Sequence, residues 1–151
     1  MKVFSKVIDI HTYGPMEFHP ITNIVRKIVK ENCSADGIIW LSVEGATPAL
    51  LILQKGMEKA FIEYITKIIP FTTWRHGNAY AHLTSTLIST NLAIPIINSE
   101  PVLNYGEEIY LLETRPVYNH IRRILIELHC NNRSPPHPKE RAFSCNMPSL
   151  I

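Results

Sequence analysis

Apolar and polar positions along the chain follow two periodicities, and the switches between them mark its elements. Val3 to Ile10 alternates imperfectly, with Val3, Val7 and Ile8 set among Lys2, Ser5, Lys6 and Asp9. This predicts a strand, closed by a turn at Tyr13-Gly14-Pro15. Ile21, Ile24, Val25, Ile28 and Val29 then recur every three or four residues, one face of a helix over about residues 20–32. Pro20 suits its first turn, where no N–H is needed, and Lys27 and Lys30 suit its end, where the dipole favours cations. Ile38 to Val43 is a short apolar run with one tryptophan, the pattern of a strand buried on both faces. Pro48 to Leu53 is another strand. Met57, Ala60, Phe61, Tyr64, Ile65, Ile68 and Ile69 form a second helical face, ended by Pro70. A third helix, about Gly77 to Ser89, carries Ala79, His82, Leu83, Thr86 and Leu87 on one side. Leu92 to Ile97 reads as a strand that Pro95 restricts to an edge or a bulge. Pro101 to Leu103, Glu107 to Glu113 and Pro116 to His129 read as the last strands.

This order does not alternate strand with helix as a doubly wound sheet does, so it predicts an α+β fold. The 151 residues suffice for one compact domain, placed at residues 1–130. Residues 131–151 contain Pro135, Pro136, Pro138 and Pro148 and few apolar positions. They read as a Pro-rich C-terminal extension, either mobile or docked on a partner.

Composition narrows the function classes without choosing one. With 46% hydrophobic and 19% charged residues the chain is not of the disordered type. Its longest apolar runs, Ala49–Leu53 and Leu92–Ile97, fall far short of the roughly 20 residues of a membrane helix, so no membrane partner is expected. Lys2, Ser5, Lys6 and Asp9 interrupt the pattern of a signal peptide. Cys33, Cys130 and Cys145 are an odd set without zinc or disulfide-framework spacing, so a cytoplasmic chain with reduced thiols is expected. Of 15 basic and 13 acidic residues, Arg133, Lys139, Arg141 and Glu140 lie in the extension. The body therefore holds 12 of each and is neutral. A nucleic-acid partner, which needs a basic stripe, is not expected. The Arg122-Arg123 pair reads as a solvated strand end.

Walker, Rossmann, G-x-S-x-G and H-E-x-x-H motifs are missing from the sequence. What remains is His76 and His82, bracketing the start of the third helix. His82 falls on the apolar face of that helix, where a buried imidazole must find a hydrogen bond or a metal. His76 belongs to Trp74-Arg75-His76-Gly77-Asn78, a loop entering a helix N-terminus, where free N–H groups favour anions. Arg75 adds a bidentate phosphate contact there. A satisfied core histidine and a solvated loop are the plainer alternatives for the two. Thr47, beside the Gly45 turn, is placed either to donate to a phosphate or to tie its own turn. Glu107, Glu108 and Glu113 are the acidic residues clustered outside the helices, and Glu107 and Glu108 face opposite ways on a strand. His11, His19, His120, His129 and His137 read as surface or structural residues.

With these residues assembled, the stretch from about residue 3 to 128 resembles the YjbQ-like family, whose members are described as secondary thiamine-phosphate synthases. Ile21-Thr22-Asn23 and Asp36-Gly37-Ile38-Ile39 are similar to its I-T-D helix and D-G-I-V strand. Val43 to Gln54 resembles V-P-H-T-T-A-A-L-T-I-N-E, Trp74-Arg75-His76 resembles Y-x-H, and Asn78 to Leu83 resembles N-A-x-A-H-L. Arg122 and Arg123 stand where the family has arginines after D-G-P-R. The resemblance implies two packed, mostly antiparallel sheets with about three helices, assembled as a homotrimer. It also implies a three-histidine pocket for a metal such as zinc or for a phosphate-like anion. His76 and His82 are its catalytic and metal-ligating candidates, with Thr47, Arg75, Asn78 and Glu107 as ligand-binding candidates. Three departures mark a divergent member: Gly45 replaces the first histidine, Leu53-Gln54 replaces N-E, and Gly106-Glu107 replaces W-Q. Two imidazoles leave a catalytic zinc site one protein ligand short, with Glu107 or Glu108 as the remaining candidate. The implied function is an enzyme or former enzyme acting on a phosphorylated small molecule. The alternative is a non-catalytic homotrimer that binds a ligand or a protein.

Overall fold

The computed structural model describes residues 1–131. In chain order the elements are β1 (Lys2–Thr12), β2 (Glu17–Pro20), α1 (Thr22–Asn32), β3 (Gly37–Val43), β4 (Ala49–Gln54), α2 (Glu58–Ile68), α3 (Ala79–Ile88), β5 (Asn91–Ile97), β6 (Glu100–Pro101), β7 (Glu107–Glu113) and β8 (His120–Cys130). They build a five-stranded sheet, ordered β1-β8-β3-β5-β6, and a three-stranded sheet, ordered β2-β7-β4. Every pairing is antiparallel. The fold is α+β with two packed sheets and three helices.

The inner faces of the two sheets meet through Ile39, Leu41, Ile94, Ile96, Ile124, Ile126 and Leu128 on one side and Leu50, Ile109 and Leu111 on the other. Ile21, Val25, Ile28 and Val29 of α1 close the same core. On the opposite face of the small sheet, Ala49, Leu51, Tyr110 and Leu112 carry Phe61 and Ile62 of α2 and Ile88 of α3. The layers therefore run large sheet, small sheet, helix pair.

Several expectations are corrected. Pro20 ends β2 rather than starting a helix, and the helix begins at Thr22. That short strand escapes a pattern search because its pairing with β7 is decided 90 residues away. In β3 only one face is covered: Ile39, Leu41 and Val43 are buried, whereas Ile38 and Trp40 are exposed. The α2 face is narrower than its periodicity, since Ile65 and Ile69 are buried but Tyr64 is 63% exposed and Ile68 is also open. On α3 the buried residues are Tyr80, Ala81, Thr84 and Ser85, two positions from the expected stripe and so on nearly the opposite face of the helix. The reason is local: Ser85 Oγ donates to the Pro48 carbonyl at 2.6 Å, so the helix turns its small polar side to β4. Leu83 and Leu87 consequently face outward. Cys33, directly after α1, and Cys130, at the end of β8, are joined as a disulfide with Cα atoms 5.7 Å apart. Both are buried, so the expectation of reduced thiols is wrong for this pair. Among the described residues no helix is long and apolar enough to cross a membrane. The Pro-rich extension lies outside the described residues beyond Asn131, whose N–H donates to the Asp36 carbonyl.

Candidate functional site

The turn from β3 to β4 brings the candidate residues together. Gly45 adopts φ +109°, a conformation that costs glycine little and other residues more. It lets the chain pass directly over Arg122, because a Cβ at Gly45 would lie 3.1 Å from Arg122 Nη1. Below the turn is a buried polar network. Arg122 is 6% exposed and Glu113 0%, and their contact is bidentate: Arg122 Nε donates to Oε2 at 2.6 Å and Nη2 to Oε1 at 2.7 Å. Glu113 also accepts from Thr12 Oγ1 at 2.9 Å and from the Arg115 N–H at 3.2 Å. Arg122 Nη2 reaches Thr47 Oγ1 at 3.0 Å, and Thr114 Oγ1 donates to the Thr47 carbonyl at 2.6 Å.

Burial by itself pushes the Glu113 carboxyl up, but the hydrogen bonds and charge of Arg122, helped by Thr12 and the Arg115 N–H, bring it below the ordinary carboxylate range. It is therefore an ion and not a proton donor at neutral pH. Arg122 is thus no solvated strand end. The β8 register turns it inward, opposite Ile10 of β1, while Arg123 faces out opposite Asp9. Thr47 is held in the same network, its hydroxyl accepting from Arg122, which ties the turn to the buried pair.

Above the turn lies an open cleft of about 390 Å³, lined by Gly45, Ala46, His82, Ser85, Thr86, Ser89 and Thr90. His82 is its one titratable side chain. It is half-buried rather than enclosed, so water can satisfy its ring, and the predicted need for a buried partner disappears. His76 joins it: the two ring centroids are 5.9 Å apart, with planes inclined at 37°. Two imidazoles sharing one zinc ion, with nitrogens about 2.0–2.1 Å from it, have ring centres roughly 5–6.5 Å apart, so this spacing permits a shared ion. Among the described residues, however, no group of three His, Cys, Asp or Glu side chains is placed to hold a metal. The pair does not make a three-ligand zinc centre.

The other candidates divide. Asn78 caps α3 through its carbonyl, which accepts the Ala81 N–H at 3.0 Å, and its side chain makes no capping bond. Arg75 is exposed on the same loop. Glu107 is not brought to the cleft: it pairs with Gln54 at the far end of β4. There its carboxylate accepts from the Asn104 N–H at 2.7 Å and from Asn104 Nδ2 at 3.0 Å. Five residues of strand, about 17 Å, separate it from the Gly45 end of the cleft. Glu108 accepts from Thr22 Oγ1 at 2.5 Å. Neither glutamate supplies a third ligand within this chain. The sequence reading missed the Arg122–Glu113 pair and the hydroxyls of Ser85, Ser89 and Thr90. Glu113 was visible as an acidic residue in an apolar strand, a signal that calls for a buried cation.

The fold has counterparts. A "YbjQ-like protein of unknown function" from Sulfolobus solfataricus P2 superposes with a TM-score of 0.77 at 26% identity, over 84% of this chain and 96% of that one. An uncharacterised conserved protein of the yjbq/upf0047 family from Clostridium acetobutylicum shares the fold, with a TM-score of 0.75, 22% identity and coverage of 82% and 99%. A UPF0047 protein of Archaeoglobus fulgidus is 26% identical over 113 residues, 70% of this chain and 87% of that protein. The family model for "UPF0047 protein YjbQ-like" matches residues 6–131, which takes in both sheets and the cleft between β3, β4 and α3. The chain belongs to the YjbQ-like UPF0047 family.

Proposed function

We propose that the cleft over the Gly45 turn binds a small phosphorylated molecule, with His82 on its wall and His76 and Arg75 at its rim. The observation that carries this reading is the convergence of the His76 and His82 rings at 5.9 Å beside a cleft whose other side chains are mostly hydroxyls. Hydroxyls donate to phosphate oxygens, an imidazolium adds charge, and the guanidinium of Arg75 adds a fork of donors. His82 is the group available for proton transfer, since Glu113 is held ionised by Arg122 and Glu107 lies at the far end of β4. Thiamine-phosphate synthesis, the activity implied by the sequence resemblance, therefore rests on one imidazole. A divalent metal such as zinc would reach two protein ligands here.

The test combines two measurements. Ring-proton NMR of His82 and His76 during titration with inorganic phosphate and then thiamine phosphate should show both rings shifting together, and His82→Ala should abolish the response of His76. Metal analysis with growth rescue of a thiamine-requiring strain, comparing the chain with His82→Ala, then tests catalysis. Phosphate binding without rescue assigns the cleft to a binder. No phosphate response at either ring removes the proposal.

The second reading is a non-catalytic homotrimer. Its support is the exposed apolar surface: Trp40, Val7 and Leu125 on the large sheet, and Tyr64, Ile68 and Leu87 on the helices. Large exposed apolar patches mark interaction sites.

A further inference from the structure

We propose that Cys33 and Cys130 form a reversible thiol–disulfide exchange site, where Cys130 meets small thiols bearing carboxylates and Cys33 closes the disulfide again. Cys130 ends β8 eight residues beyond Arg122, about 27 Å along the strand. The proposal therefore stands apart from the reading of the cleft. The two sulfurs sit in different surroundings. Cys33 is enclosed directly after α1, and its Sγ lies 3.2 Å from the Ala35 carbonyl oxygen. In the disulfide that oxygen receives no proton from sulfur. On reduction it becomes the acceptor of the released S–H, so the fold already holds a place for the thiol. The partial negative charge at a helix C-terminus disfavours a thiolate there. Cys130 instead borders a crevice of about 230 Å³ lined by Lys2, Asn32, Ser34 and Asn131. Lys2 is its cross-strand partner between β1 and β8, so both side chains leave the same face of the sheet. An ammonium beside a sulfur favours its thiolate and draws in an anionic thiol. The other lining side chains, two amides and a hydroxyl, donate to carboxylate oxygens. Lys2 begins β1 and Cys130 ends β8. Strand ends open most readily, which gives a reagent its way to a sulfur buried in the closed form.

The exchange proceeds in two steps. The thiolate of a small thiol attacks Cys130 Sγ, and the bond to Cys33 breaks. Its electron pair goes to Cys33 Sγ, which takes up a proton and donates it in a hydrogen bond to the Ala35 carbonyl. Cys130 now carries the mixed disulfide. A second small thiolate attacks the small-thiol sulfur of that mixed disulfide, and Cys130 leaves as a thiolate beside the Lys2 ammonium. The protein disulfide has gained two electrons and become two thiols, while two small thiols have become one small disulfide. In reverse, the small disulfide restores the bond as Cys33 displaces the small thiol from Cys130.

The test uses the full chain with Cys145→Ser, so that only the pair carries sulfur chemistry. The oxidised protein is mixed with reduced glutathione, quenched in acid at intervals and read by peptide mass spectrometry. Glutathione should appear on Cys130 before free Cys33 and Cys130 accumulate together, and oxidised glutathione should restore the disulfide. Cys33→Ala removes the resolving thiol and should hold glutathione on Cys130 at least tenfold longer. Lys2→Glu should lower the rate with glutathione at least tenfold relative to cysteamine, a thiol of opposite charge. Lys59→Glu on α2 should leave that ratio unchanged. Two free thiols in the oxidised preparation overturn the proposal, as does a disulfide that yields to glutathione only in urea. Glutathione on Cys33 in place of Cys130, or a ratio that Lys2→Glu does not move, overturns it equally. If far-UV circular dichroism shows Cys33→Ala unfolded, the time course on the unaltered pair and the Lys2→Glu ratio decide.

Discussion

Two sets of polar groups meet at the Gly45 turn, the buried network beneath it and the cleft above it. Beneath, Glu113 accepts from Arg122, Thr12 and the Arg115 N–H, and Arg122 in turn reaches Thr47. Above, His82, His76 and Arg75 have no such fixed partners among the described residues and stand in or near solvent. A charge whose hydrogen-bonding capacity is filled by the protein organises the fold. A group left to water is free for a ligand. The comparison therefore teaches that buried charge in this chain marks architecture, and that the proposed binding chemistry has to be sought among the groups the fold leaves to solvent.

The largest expected effect breaks the lower set. Arg122→Met leaves the Glu113 carboxylate buried without its partner and should cost about 3–5 kcal/mol, measured by urea unfolding at pH 7. Adding Glu113→Gln should restore part of that loss, because the stranded charge is then gone.

Acid titration sharpens the same point. The native Glu113 carboxyl sits below its unfolded value of about 4.3. Its contribution is complete above that value and is lost as pH falls through the native pKa, because the unfolded chain then binds more protons. In Arg122→Met only burial remains as the dominant influence, which raises the carboxyl above its unfolded value. The sign then reverses: this group's penalty grows as pH rises through the raised pKa and is relieved in acid. The difference in stability between the two proteins should begin to narrow as pH falls through the variant's raised pKa and go on narrowing below about 4.3, and a constant difference would show that Glu113 is not the group responsible.

Gly45→Ala joins the two sets, since the new Cβ would stand 3.1 Å from Arg122 Nη1 on a backbone with positive φ. It should cost about 1–2 kcal/mol in thermal unfolding and also weaken phosphate binding. The smallest effect on stability belongs to the upper set. His82→Ala should change unfolding by less than about 0.5 kcal/mol, as surface substitutions do, while reducing phosphate affinity about tenfold by calorimetry. If His82→Ala proves as destabilising as Arg122→Met, the division between floor and rim is wrong.

Most of the fold was legible because regular elements need only local repetition. The isoleucines and valines of α1, the alternation along β8 and the break at Pro70 all announce themselves within a dozen residues. The site was legible in its types and not in its membership. The loop and helix that bear His76 and His82 are contiguous in sequence, so their convergence could be foreseen. The separation of Glu107 from them, and the absorption of Thr47 by Arg122, depend on strand register. A one-residue shift of β8 would turn Arg122 outward and Arg123 into the core.

By itself, then, the chain's pattern determined an α+β order of elements, three helices, and a pair of histidines flanking the start of α3. The tertiary structure alone decided four things: which face α3 buries, that Cys33 and Cys130 meet across 97 residues, that Glu113 finds Arg122, and that the outer face of β3 lies bare. The physical reason is reach. Periodicity reports the environment of a residue averaged over its own element, whereas pairing of a charge, a thiol or a sheet face depends on partners that only the packing of distant elements supplies.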